Sequence, residues 1–173
     1  DEIEKVYTLE LSAENYNDSS RVGFNMTYGN FYWHKGDAIA VGTTLSKFTT
    51  DCEDRASSAT FTGYVEPQGY AIYPYEGTKS IVGNVVTFEY PTTYTYETVD
   101  NDFFTGSNSL ASPMWLMIAY NYDYFYHLGG TIAIKLPGLK AGNNQTFTLT
   151  ADKKITGEFS GEMKDMSSKF VTT

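Results

Sequence analysis

Apolar residues recur at every second position along this chain, and no stretch of about 12 residues carries the 3.6-residue stripe of a buried helix face. Across 6–11, Tyr7, Leu9 and Leu11 fall on one side, with Thr8 and Glu10 on the other. Successive side chains of a strand point to opposite faces, so this spacing predicts strands with one buried face. Phe61, Gly63 and Val65 alternate with Thr60, Thr62 and Tyr64, and the period returns at Ile132/Ile134/Leu136, Phe147/Leu149 and Ile155/Phe159. Continuously apolar runs at 38–42 and 114–120 predict strands covered on both faces.

Turn residues separate these runs at Gly29-Asn30, at 34–37, at Pro67 to Gly69, at Gly83-Asn84, at Pro137-Gly138 and at 142–144. Many short strands between such turns predict an all-β fold, an antiparallel β-sandwich or barrel. The segment 51–58 has room for one short helical turn. Abundant Thr and 15 Tyr suit the half-buried surface of a sheet. With 173 residues the chain is one domain of ordinary size, read as a sandwich over 1–160. The least ordered stretches are expected at 18–21, at 92–112 and in a polar tail or linker over 161–173 that leads to a further, missing C-terminal domain.

Charge narrows the partners. Twelve Lys+Arg against 21 Asp+Glu give a net charge of -9, with two arginines in the whole chain. A phosphate backbone is held by clustered cations, so no nucleic acid is expected, nor docking on an anionic membrane surface. The longest strongly apolar run is far short of the roughly 20 residues that span a bilayer as a helix. The chain opens on Asp1 without a signal peptide, as expected where a leader has been removed. One cysteine, Cys52, leaves no internal disulfide framework.

The spacings that mark phosphate loops, metalloprotease helices, nucleophile elbows and calcium loops are absent, and no catalytic residue, cofactor or metal is expected. His34 and His127 fit surface or capping roles. Acidic residues gather at Asp51/Glu53/Asp54 and at Asp100/Asp102, where the readings are a glycosidase-like pair, a Ca²⁺ loop or a solvated loop. Cys52 sits among acids, which disfavour its thiolate. The most unusual feature is aromatic: five rings occupy the seven positions 120–126. On a strand Tyr120, Tyr122, Tyr124 and Tyr126 share one face, suited to a core, a protein interface or a stack on sugars.

The order of the motifs resembles that of the fimbrillin-like (Mfa-like) surface proteins of Bacteroidales. Trp33, Gly36, Asp37, Ile39 and Val41 follow their "W-x-x-G-D-x-I-x-V" strand, and Phe61 and Gly63 their "x-F-x-G" strand. Tyr70, Ala71, Tyr73, Pro74 and Tyr75 nearly match "Y-x-A-x-Y-P-Y", and Pro113-Met114 begins "P-M-x-A". His127, Leu128, Gly130, Ile132, Ile134 and Leu136 stand where the family has "N-L-x-G-x-L-x-I-x-L". The closing "I-x-L…I-x-G" pair is similar to Phe147/Leu149 and Ile155/Gly157. The likeness runs over about 31–160, with departures at Trp115 to Met117 and at His127, which replaces Asn.

This resemblance implies a sandwich of transthyretin-like Greek-key topology, here the N-terminal domain. It also implies a lipoprotein precursor exported to the outer membrane, cell surface or fimbrium, touching the membrane only through a removed N-terminal lipid anchor. The implied role is a non-enzymatic fimbrial or pilus subunit, or a surface adhesin, assembling through β-strand addition. Partners would be other fimbrial subunits, copies of itself, or host or bacterial glycans and proteins. Sheet edges are templates for strand addition, and Val6, Tyr7, Leu9 and Leu11 form the candidate exchange segment. The alternative is a carbohydrate-binding surface lipoprotein using exposed tyrosines, with Tyr120, Tyr122, Tyr124 and Tyr126 as contacts.

Overall fold

The computed structural model describes residues 5–12, 23–25, 30–93, 102–103, 113–118, 125–129, 146 and 148–164. Their elements are β1 (Tyr7–Ser12), β2 (Gly23–Asn25), β3 (Asn30–Tyr32), β4 (Ala38–Val41), β5 (Ser46–Thr50), β6 (Ser58–Gly63) and β7 (Tyr70–Tyr73). A 3₁₀ turn (Tyr75–Gly77) follows, then β8 (Thr78–Val82), β9 (Val85–Tyr90), β10 (Asp102–Phe103), β11 (Met114–Met117), β12 (Tyr126–His127) and β13 (Gly157–Glu162). The fold is all-β and antiparallel. A seven-stranded sheet runs β1-β6-β5-β4-β7-β11-β12, beside three-stranded sheets β10-β2-β3 and β13-β9-β8.

The large sheet buries one face along its whole width. Leu11, Ala59, Phe61, Phe48, Ile39, Val41, Ala71, Tyr73, Met114 and Leu116 come from its successive strands into one cluster, joined by Trp33 and Phe125. The opposite face is divided. Over β4, β7, β11 and β12 it carries Ala40, Ile72, Trp115 and Tyr126, all buried. Ile81, Val86 and Phe88 of the small sheet pack there with Leu128 and Met163. Over β1, β5 and β6 the same face is solvated, with Thr8, Glu10, Lys47, Thr49, Thr60 and Thr62 exposed. This division explains the two sequence patterns: strands covered once alternate, and β4, covered twice, is apolar throughout.

Two close approaches fix the sheets. At Gly63 the Phe48 ring lies where a Cβ would stand, 2.5 Å from it. At Gly77 the Phe88 ring does the same, so the 3₁₀ turn lies flat on the second core. Thr78 Oγ donates to the Pro74 carbonyl at 3.0 Å and satisfies a buried hydroxyl.

Several expectations are corrected. Segment 51–58 contains no helix: Arg55 is in the left-handed region (φ 66°), and Ala56 forms a backbone bridge with Trp33. Leu149 lies outside any strand and is 62% exposed, and Ile155 is also exposed. Two alternating positions are too few to fix a strand. Of the tail expected over 161–173, Gly161 and Glu162 belong to β13 and Met163 is buried in the second core, while 165–173 lie outside the described residues. Within 92–112, Asp102–Phe103 pairs with β2. The strand expected at 132–136, and Phe147, lie outside the described residues.

Trp33→Ala is expected to cost about 3–5 kcal/mol, the range for emptying a buried aromatic site. Val82→Ala, on an exposed position of β8, should stay within about 0.5 kcal/mol. Urea unfolding of both variants checks the contrast.

Candidate functional site

Among the described residues β1 stands at one end of the seven-stranded sheet and pairs with β6, from Tyr7↔Gly63 to Ser12↔Ser58. On its inward face burial deepens from Tyr7 and Leu9, half-buried, to Leu11, 2% exposed, while Val6 just before the strand is 57% exposed. Tyr7, Leu9 and Leu11 all face the first core, as the alternation predicts. On the other face the Thr60 hydroxyl donates to Glu10. The deep end is pinned by Trp33, whose indole Nε1 donates to the Leu11 carbonyl at 3.0 Å in a buried setting. That bond satisfies a buried donor and ties β1 to a residue 22 positions on.

Trp33 opens a polar cluster built by the turn at 34–37. Gly36 at φ 86° supplies a conformation that other residues rarely adopt. The Asp37 N–H donates to the His34 carbonyl (3.1 Å), and the Asp37 carboxylate accepts from the His34 N–H (2.8 Å) and the Tyr73 hydroxyl (3.2 Å). The Thr50 N–H donates to the Asp37 carbonyl at 3.1 Å. Asp37 and Tyr73, from two motifs 36 positions apart, thus meet in one hydrogen bond.

Burial pushes the Asp37 carboxyl up to about 6, against the pull of the His34 N–H, the His34 imidazole and the Tyr73 hydroxyl. Glu76 adds a weaker push upward. Around this group, the Lys35 N–H donates to Asp54 (3.1 Å), Lys35 Nζ pairs with Asp51 (2.8 Å), and His34 Nδ1 stands 3.7 Å from Asp54. His34 Nε2 is buried without a hydrogen-bond partner. Burial, then Asp37 and Asp54, raise the Cys52 thiol against a lowering contact with Thr50. The thiol therefore stays protonated at neutral pH, and the nucleophilic thiolate is missing. The acids at 51–54 act as solvated anchors of this turn. Among the described residues no group of three or more His, Cys, Asp or Glu is placed to hold a metal.

The aromatic row divides. Tyr126 is buried, its ring 5.7 Å from that of Trp115 in the second core, so it offers no open face to a ligand. Tyr120, Tyr122 and Tyr124 lie outside the described residues, as does Asp100. His127 sits half-buried on β12, opposite Met114. Sequence reasoning passed over the Asp37–Tyr73 contact. The signal for it was an acid directly before the continuously apolar 38–42, a place where its carboxylate must find donors.

The Asp37 proton makes stability depend on pH. Its folded value, about 6, exceeds its ordinary 3.8, so the folded state binds the proton more tightly than the unfolded chain. The contribution is fully present below pH 3.8 and is lost as pH rises through 6. Urea unfolding at acid and neutral pH should show a loss of up to about 3 kcal/mol that Asp37→Asn removes. Equal pH slopes in both proteins would refute this.

Searches of the chain against protein-family models, curated proteins and solved structures return no match.

Proposed function

We propose that this protein is a non-enzymatic fimbrial subunit or cell-surface adhesin of the fimbrillin-like kind, which assembles through β-strand addition. The observation that carries the reading is β1 itself. Among the described residues it stands at the end of its sheet with β6 as its hydrogen-bonded neighbour, and its inward side chains, Tyr7, Leu9 and Leu11, pack into the first core. A donated strand needs those two properties: backbone hydrogen bonds for affinity and alternate side-chain pockets for register. Two features support the family. The spatial order β7-β4-β5-β6 returns a fourth strand beside the first of three consecutive ones, as in a Greek key. Trp33, Asp37 and Tyr73, which carry its motifs, also converge in one core. The carbohydrate-binding alternative loses one of its four rings with the burial of Tyr126.

The full-length protein, taken from its native surface, should run on a denaturing gel as a ladder of multimers that collapses on boiling. Deleting residues 1–11 should uncover the groove left by Leu9 and Leu11 and make the domain self-associate, with an added peptide covering 5–12 restoring the monomer. A truncated form that stays monomeric and as stable as the parent would overturn the proposal.

A further inference from the structure

Three turns meet at one end of the sandwich: 42–45 between β4 and β5, 64–69 between β6 and β7, and Gly83-Asn84 between β8 and β9. Together they border a cavity of about 420 Å³ that is open to solvent. The first two turns are fastened by the Gly42 N–H, which donates to the Tyr70 carbonyl at 2.9 Å. Loops held by a rigid sheet are where binding residues concentrate, and the volume falls within the usual range for small-molecule sites.

The lining selects a class of ligand. Thr43, Thr44, Glu66 and Gln68 bring hydroxyls, a carboxylate and an amide, while Val65 and the side of the half-buried Tyr70 bring apolar surface. The Tyr70 hydroxyl is engaged with the Met163 carbonyl at 3.1 Å, so a ligand would meet mainly its ring. Among the described residues no lysine or arginine lines the cavity, and the chain carries a net charge of -9, which repels anions. A wholly apolar ligand would strip water from Glu66 and Gln68 without replacing its hydrogen bonds. A neutral polyol meets both demands: its hydroxyls donate to Glu66 and exchange hydrogen bonds with Gln68 and the threonines. Its C–H faces cover Tyr70 and Val65. Val65 in the lining is 49% exposed and Tyr64 next to it in the chain is 66% exposed, apolar surface that a second sugar ring could cover.

We infer that this loop end binds a neutral saccharide of one or two rings. The site is separate from β1 and does not depend on strand exchange, so either reading can fail alone. It also differs from the tyrosine row, since it uses none of Tyr120, Tyr122, Tyr124 or Tyr126.

The test is an NMR titration of the full chain with glucose, galactose, mannose, fucose, N-acetylglucosamine and lactose, following backbone amides. At least one of these sugars should shift amides of 42–45 and 65–70 saturably, with a Kd on the order of 1 mM for so open a site. The double variant E66Q/Q68A should bind that sugar at least about tenfold more weakly, the loss of one or two hydrogen bonds. Both substitutions are on exposed positions, so the variant should keep the parent's Tm, and a lowered Tm would move the comparison to the single variant Q68A. The inference is overturned if none of the sugars shifts these amides, or if the variants bind as well as the parent. It is equally overturned if only sialic acid, or only an oligolysine peptide, binds there.

Discussion

The structure hangs on the indole of Trp33. Its ring stands edge-on to Phe61 (4.8 Å), Tyr73 (5.7 Å) and Phe125 (5.8 Å), all at interplanar angles above 70°. Such contacts add stabilisation beyond area burial. Its backbone bridges Ala56 with hydrogen bonds of 2.8 and 3.0 Å, and its Nε1 holds Leu11. One residue thus joins β1, β6, β7 and the 51–57 loop. The turn at 34–37 follows directly, so the burial of Asp37 is a consequence of where Trp33 sits. A sheet this wide must curl to bury one whole face, and the indole fills the hollow that curling leaves.

The second constraint is the unequal cover of the large sheet. The small sheet β13-β9-β8 packs over β4, β7, β11 and β12 through Ile81, Val86 and Phe88. It leaves the outer face of β1, β5 and β6 in water, where threonines face one another in register at Thr8↔Thr62 and Thr49↔Thr62. Exposed edges invite pairing unless charge or irregularity blunts them. β8 has both devices: a register shift between Thr78 and Ser80, and Lys79 paired with Glu89. β12 is only two residues long.

What the sequence revealed follows from this cover. Alternation is legible where one face is wet, so β1 and most of β6 could be read, though Val65, expected on the buried side, lies beyond β6 and is 49% exposed; the unbroken 38–42 gave the doubly covered β4. Other features depend on distant partners and leave no local mark. The extent of β13 is set by β9 beside it, from Gly157↔Tyr90 to Glu162↔Val85, although the alternation ending at Phe159 already marked a strand there. Met163 is buried because its N–H reaches the Asn84 carbonyl at 2.7 Å on the neighbouring hairpin. A tail rich in charge reads as solvent-exposed until that hairpin is placed against it. Tyr126 was legible as a strand residue, yet whether its ring faced water or Trp115 depended on the sheet that covers it. The loop-end cavity was invisible for the same reason: its three turns are far apart in sequence.

These constraints also explain why β1 differs from a central strand of the large sheet such as β4. Withdrawing β4 would break two ladders and open both cores, since Ile39 and Val41 serve one and Ala40 backs the other. Among the described residues, withdrawing β1 breaks one ladder and uncovers one groove, because Thr8, Glu10 and Ser12 on its outer face belong to neither core. The burial gradient from Val6 to Leu11 makes the first residues the least costly to detach, while the Trp33–Leu11 hydrogen bond resists at the far end. Any replacement strand must offer a carbonyl at that point or leave a buried indole N–H unpaired, at a cost of about 1–3 kcal/mol. Because side chains alternate, a slip by one residue would turn the apolar set into water. The groove therefore specifies both the sequence pattern and the register of whatever strand occupies it.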